Sequence, residues 1–184
     1  MIAIAPYSEM RTWGEARAAK MGMALFSEAT RRLHDKTVFL SHSSKDNDLV
    51  DGAVQILENH GGHVYVDNTD QSLHDSDCLV IAQHLREVIR TVRKLVLLAT
   101  PRSKDSKWIP WELGLGDGTH GQSEVALFPS AETWSEFEWS EREYLGLYRR
   151  IMWGDHEGYP GKKIWMVIDH RTREAVPLEQ WLRQ

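Results

Sequence analysis

Cysteine is nearly missing from this chain. Cys78 is the only one in 184 residues. That excludes a disulfide framework and a Cys-rich zinc module, and it fits a reducing compartment. Long apolar runs are missing as well. No stretch approaches the roughly 20 residues that a membrane helix needs. The apolar start from Met1 to Pro6 is too short and too uncharged for a signal peptide. Basic charge is not in excess: 22 Lys+Arg against 27 Asp+Glu leave a net −5. A generic nucleic-acid coat would be basic, although an anionic ligand in a local site is still allowed. The sequence has no internal repeat, low-complexity tract or interdomain linker. It has no Gly-x4-Gly-Lys-Ser/Thr phosphate loop and no Gly-x-Ser-x-Gly nucleophile elbow. What it has is the 41% hydrophobic and 27% charged content of an ordinary soluble globular protein. It also has eight Trp, seven of them from Trp108 onward.

Periodicity gives the organisation. Residues 8–35 read as a helix, with Met21, Leu25, Ala29 and Leu33 falling four apart. Thr37-Val38-Phe39-Leu40 is a buried-strand signal followed by the polar Ser41-His42-Ser43-Ser44. Asp46 can cap a helix bearing Leu49, Val50, Ala53, Ile56 and Leu57, which Gly61-Gly62 stops. A second strand, His63 to Val66, leads into a polar loop from Asp67 to Asp77. A helix with Ile81, Leu85, Val88, Ile89 and Val92 on one face precedes a third strand, Leu95 to Ala99. Ser106 can cap a short helix to Leu113 that Gly114, Gly116 and Gly118 end. Val125 to Phe128 and Ile164 to Ile168 are the fourth and fifth strands, and Trp181 tucks inward on a last helical turn. The Trp- and Glu-rich stretch 131–160 shows no clear period.

Strands alternating with amphipathic helices imply βαβ units. Apolar strands covered on both faces imply an α/β three-layer sandwich around a central, mainly parallel five-stranded sheet. Ligands in such folds bind beyond the C-terminal strand ends. Those ends carry Ser41-His42-Ser43, Asp67-Asn68, Thr100 and the Ser106 loop.

Two stretches could carry chemistry. In Ser106-Lys107-Trp108-Ile109-Pro110-Trp111-Glu112-Leu113, Trp108 and Glu112 share a helix face. Pro110 must sit in the first turn, which places Glu112 near the helix start. A carboxylate beside a flat aromatic can face a polyhydroxylated or cationic ligand. The bland alternative makes Trp108 and Trp111 core and Glu112 a solvated face. In Ser41-His42-Ser43-Ser44-Lys45-Asp46, hydroxyls and backbone N–H groups at a helix start can nest an anion; the alternative is a capped turn without a ligand. Gly114-Leu115-Gly116-Asp117-Gly118 follows a helix and reads as a helix stop, not a dinucleotide loop. His60 and His63 flank a helix-to-strand turn, and nine His without a paired motif make no zinc case. A phosphoacceptor receiver needs an acidic pair where this chain has Ser41-His42.

Together these stretches resemble a TIR domain of the bacterial kind. Val38-Phe39-Leu40-Ser41-His42-Ser43-Ser44-Lys45-Asp46 resembles that family's first-strand signature. Val64-Tyr65-Val66-Asp67-Asn68-Thr69-Asp70 resembles its second strand entering the BB loop. Leu97 to Pro101 and Ser106 to Gly114 resemble its third strand and the helix that carries its glutamate. Ile109 stands where many members have Cys, and Asn68 where many have Trp.

The resemblance implies a flavodoxin-like domain over 36–170, an N-terminal helical extension over 1–35 and a tail over 171–184. Its enzymatic members cleave the nicotinamide–ribose bond of NAD+, so NAD+ is a substrate and no cofactor or metal is implied. By match, Glu112 is the catalytic glutamate, and Ser41, His42, Ser43, Asp67, Asp70, Ser106 and Trp108 line the substrate site. Small bacterial members resemble the signal-making TIR proteins of Thoeris-type antiphage defence. That likeness implies a cytoplasmic enzyme, self-association through the BB loop and neighbouring helices, and a separate effector, with no nucleic acid or membrane partner. A non-catalytic TIR scaffold and a nucleoside deoxyribosyltransferase-like enzyme are the alternative readings.

Overall fold

The computed structural model describes residues 2–24, 37–66, 78–133 and 143–184. In chain order its helices are α1 (Tyr7–Ala24), α2 (Asn47–Asn59), α3 (Cys78–Thr91), α4 (Ile109–His120) and α5 (Leu178–Arg183). Its strands are β1 (Val38–Ser41), β2 (Val64–Val66), β3 (Lys94–Ala99), β4 (Val125–Pro129), β5 (Arg149–Asp155), β6 (Lys163–Asp169) and β7 (Glu174–Pro177). They form one sheet in the order β2-β1-β3-β4-β5-β6-β7. Pairing is parallel from β2 across to β5 and antiparallel at β5–β6 and β6–β7.

The mainly parallel α/β sheet is the expected one, with two strands more than the five read from sequence. β5 opens on Arg149-Arg150 and ends on Gly154-Asp155, leaving only Ile151-Met152-Trp153 as an apolar run inside the Trp- and Glu-rich stretch, so no strand signal rises above the background. β7 is a short edge strand ending in Pro177, a residue that suits edges because it donates no ladder bond.

Alternate residues of the central strands point to opposite faces, and helices cover both. On one face Val38, Leu40, Val96, Leu98, Phe128 and Trp165 pack with α1, α2 and α5. On the other, Phe39, Leu95, Leu97, Val125 and Leu127 meet Leu85, Val88 and Ile89 of α3 and Ile109 and Leu113 of α4. This two-sided burial is why the central strands read as unbroken apolar runs. Trp181, 1% exposed, closes the first core and satisfies its indole N–H by donating to the Ser123 carbonyl at 3.0 Å.

Helix α4 does not stop at its glycines. It runs through Gly114, Gly116 and Gly118 and ends at Gly121, whose φ of 85° only glycine adopts easily. Gly116 is there for packing: a Cβ at that position would lie 2.5 Å from Leu95 Cδ1 on β3.

Residues 2–24, set apart from the domain in the sequence reading, are built into the first core. β5 pairs with β4 only at Arg149 and Arg150 and runs on past it. Ala3 covers the edge left bare by exchanging both backbone hydrogen bonds with Trp153, at 2.7 and 3.0 Å. Ser130 Oγ donates to the Ala5 carbonyl at 2.7 Å. Ala5, Tyr7 and Met10 are buried. Helix α1 then lies close along α2, and a Cβ at Gly52 would meet the Met10 carbonyl oxygen at 2.1 Å. The helix is expected from 8 to 35; α1 is described from Tyr7 to Ala24, and Leu25, Ala29 and Leu33 fall outside the described residues.

Gly52→Ala is expected to lower the melting temperature by several degrees, since overpacking costs about 1–3 kcal/mol. At Gly118 nothing lies within 4 Å of the added carbon, so Gly118→Ala should match or exceed the parent, Ala favouring helix by about 1 kcal/mol. Thermal unfolding checks both, and a Gly52→Ala protein as stable as the parent contradicts the close crossing.

Candidate active site

The site lies at the C-terminal ends of β1 and β3, beside the start of α4. Strand β1 is buried throughout and ends on Ser41. Pro110 is the second residue of α4, where a missing N–H is harmless. The first turn closes when the Glu112 N–H donates to the Trp108 carbonyl at 2.9 Å. Glu112 is therefore one turn into the helix, where the macrodipole favours a negative charge. It is only 4% exposed, which overturns the solvated-face reading. Ser41 Oγ donates to Glu112 Oε2 at 2.5 Å, the length of a charge-assisted hydroxyl–carboxylate bond.

Of the other residues expected at the site, His42 and Ser43 lie in the β1–α2 loop and Ser106 and Trp108 at the start of α4. Trp108 stands at the start of α4, half-buried, edge-on to Trp111 with ring centres 5.7 Å apart. Both rings also pack on the second core, so the core reading holds for one side of each. Ser106 Oγ accepts a long 3.4 Å hydrogen bond from the Ile109 N–H. In the β1–α2 loop, Ser43 Oγ accepts from the Lys45 N–H at 3.3 Å, and His42 Nε2 lies 3.2 Å from Asn47 Oδ1. Asp67 and Asp70 lie outside the described residues. Among the described residues no group of three or more His, Cys, Asp or Glu could hold a metal ion, and no helix is long and apolar enough to cross a membrane.

Asp46 departs from its expected role. It occupies the residue before α2 but makes no side-chain cap bond. Its carboxylate turns toward β3 and accepts a hydrogen bond from Thr100 Oγ1 at 2.7 Å. The second oxygen, Oδ1, accepts no hydrogen bond among the described residues and faces Arg102 Nη1 at 3.9 Å. Asp46 is fully buried, 0% exposed. Burial pushes its carboxyl up to about 6, against the opposing pull of the Thr100 hydroxyl and the Arg102 charge. A cap and a buried carboxylate look identical in sequence at a helix start, so no local signal marks the difference.

A mainly parallel sheet with a buried carboxylate–hydroxyl pair at its strand ends defines an α/β protein whose candidate site sits where such folds bind ligands. The TIR domain model matches residues 38–157. The chain belongs to the TIR domain family. Over 149 residues, covering 80% of this chain and 75% of the relative, it is 31% identical to "Probable 3' cyclic ADP-D-ribose synthase ThsB'" of Bacillus cereus (strain MSX-D12). The likeness to small bacterial TIR proteins of the Thoeris type is thereby borne out.

The buried carboxyl of Asp46 makes a signed prediction. Its folded value, about 6, lies above the ordinary value near 3.9, so its contribution to stability is fully present below pH ~4 and lost as pH rises through ~6. Asp46→Asn removes the buried charge and keeps an acceptor for Thr100. The stability of this variant relative to the parent should improve by about 2 kcal/mol between pH 4.5 and pH 8. Urea unfolding at the two pH values checks it, and a difference that does not change with pH contradicts it.

Proposed function

We propose that this protein cleaves the nicotinamide–ribose bond of NAD+, with Glu112 as the catalytic carboxylate. The observation that carries the reading is the buried Ser41–Glu112 pair, 2.5 Å apart at the strand ends. As the bond breaks, its electron pair leaves with the ring nitrogen, and the pyridinium becomes neutral nicotinamide. No general acid is needed for that leaving group. The ribose carbon passes through an oxocarbenium-like state, as in glycoside hydrolysis. Glu112 stabilises the developing positive charge and accepts a hydrogen bond from a ribose hydroxyl. Ser41 holds the carboxylate in register and neutralises part of its desolvation cost. Water then forms the new C–O bond and gives up a proton, yielding ADP-ribose. An internal nucleophile from the same molecule yields a cyclic isomer, and another acceptor yields a conjugate. The name of the Bacillus cereus relative, a cyclic ADP-D-ribose synthase, favours the cyclic product as the one to look for first.

Around this centre, His42, Ser43, Ser106, Trp108, Asp67 and Asp70 bind the rest of the dinucleotide. Trp108 offers a stacking face and the serines offer hydroxyls. NAD+ is consumed as substrate, without a cofactor or metal. The product acts as an immune signal to a separate effector in antiphage defence in the cytoplasm. Copies of the chain associate through residues 67–77 and the adjoining helices, which brings a neighbour's loop to each site.

Glu112→Ala should lose at least ~100-fold in turnover, and Ser41→Ala about 10-fold through a misoriented carboxylate. Nicotinamide release, followed by chromatography at high NAD+ and high protein concentration, measures both. Equal and persistent turnover by Glu112→Ala would remove the assignment. A wild-type chain that releases no nicotinamide would favour the scaffold reading.

A further inference from the structure

The turn Pro101–Asp105 joins β3 to the loop that starts α4, so its position governs where Glu112 stands. Ser41 belongs to the strand whose following loop carries Lys45 and Asp46. The Ser41–Glu112 bond joins the two segments that this loop and this turn adjoin. Arg102 spans the two. Its Nη1 donates to the Lys45 carbonyl at 3.1 Å and to Asp48 Oδ1 at 2.8 Å, and lies 3.9 Å from Asp46 Oδ1. Its guanidinium carbon rests 4.7 Å from the centre of the Tyr7 ring. Arg11, one turn further along α1, donates from Nε and Nη2 to Asp48 Oδ2 at 2.9 and 2.8 Å. The start of α1, the β1–α2 loop and the β3–α4 turn therefore meet at one guanidinium. Tyr7 and Arg11 precede the matched family residues, which begin at 38.

We infer that Arg102, stacked on Tyr7, is a positioning residue for the reaction, and that the N-terminal segment is a working part of the site. The inference rests on the proposed NAD+ cleavage for its activity readout. The guanidinium is suited to the task because it is planar: its face lies over the Tyr7 ring while Nη1 donates to the Lys45 carbonyl and to Asp48. Lysine supplies the charge but neither the plane nor the fork.

The same arrangement links Arg102 to proton uptake. The charged groups facing Asp46 are Arg102, Asp48 and Lys45, with the Thr100 hydroxyl as its hydrogen-bond donor. Lys45 itself leans toward Asp105, 3.7 Å away. Removing Arg102 takes a positive charge from beside Asp46, so that carboxyl keeps its proton to higher pH. A protonated Asp46 holds the Thr100 hydroxyl, at the end of β3, less strongly than the carboxylate does, and the acid side of the activity profile follows its titration.

The experiment uses the full chain and the variants Arg102→Ala, Arg102→Lys, Tyr7→Ala and Tyr7→Phe. Nicotinamide release from NAD+ is measured from pH 5.5 to 8.5, with thermal unfolding of each protein. Arg102→Ala and Tyr7→Ala should lose about 10-fold in kcat with KM changed less than ~2-fold, because the carboxylate is displaced rather than the substrate contacts. Tyr7→Phe, which keeps the ring, should restore kcat, and Arg102→Lys should restore it only in part. The acid limb of Arg102→Ala should move up by about half a pH unit or more. Folded alanine variants with parental kcat and an unmoved acid limb overturn the inference. If Arg102→Ala fails to fold, Arg102→Lys decides in its place, and full parental kcat there overturns it. Carbon-13 titration of the Asp46 carboxyl, assigned with Asp46→Asn, separates this inference from the reading of the reaction. A wild-type chain without turnover defeats that reading alone. An Asp46 titration that does not shift in the Arg102 variants defeats the positioning role whatever the turnover.

Discussion

A carboxylate stays inside a protein only when something replaces the water it gives up, and at Glu112 the Ser41 hydroxyl, 2.5 Å away, supplies part of that replacement. The bond joins the end of the central strand β1 to the first turn of α4. Every neighbouring feature serves to keep those two points together. Gly116 lets α4 settle onto Leu95 of β3. Pro110 fixes where α4 begins. The positive end of the α4 dipole faces the charge. Each is unremarkable alone, and together they hold an acidic group in a place where a developing cation would find it.

A second buried carboxylate braces the first. Asp46 binds Thr100 at the end of β3 and faces Arg102 in the turn beyond it. Its charge is held at a cost, since burial raises its proton affinity. Retaining such a group at the strand ends is the pattern expected where local stability is given up for geometry. The N-terminal segment completes the brace. Ala3 pairs with the edge of β5, Tyr7 lies under the Arg102 guanidinium, and α1 crosses α2 closely at Gly52. The family match begins at β1, yet the fold that holds the site begins with residue 3.

Much of this was legible in the residues. The central strands announced themselves because burial on both faces leaves unbroken apolar runs such as Leu95 to Ala99. Glu112 was legible because Trp108, Pro110 and the helix period fixed its place near the helix start. Other parts depend on contacts that no local pattern carries. Arg149-Arg150 hides β5, whose pairing is decided by β4 and β6 on either side. The glycines of α4 read as stops because sequence shows flexibility and not the strand that Gly116 packs on. Asp46 read as a cap because its true partner, Thr100, lies 54 residues away. Arg102 and Tyr7 carry no motif at all; their roles exist only where three segments converge.

The central claim is that the Ser41–Glu112 pair breaks the glycosidic bond of NAD+. Mass spectrometry of the products formed from NAD+ by the full chain and by Glu112→Gln tests it most directly. The Gln variant keeps the size and the hydrogen-bonding edge of the side chain and removes only its charge. The account predicts nicotinamide and an ADP-ribose product, linear or cyclic, from the wild-type chain and almost none from the variant. Intact NAD+ with the wild-type chain, or the same products at the same rate from Glu112→Gln, would contradict it.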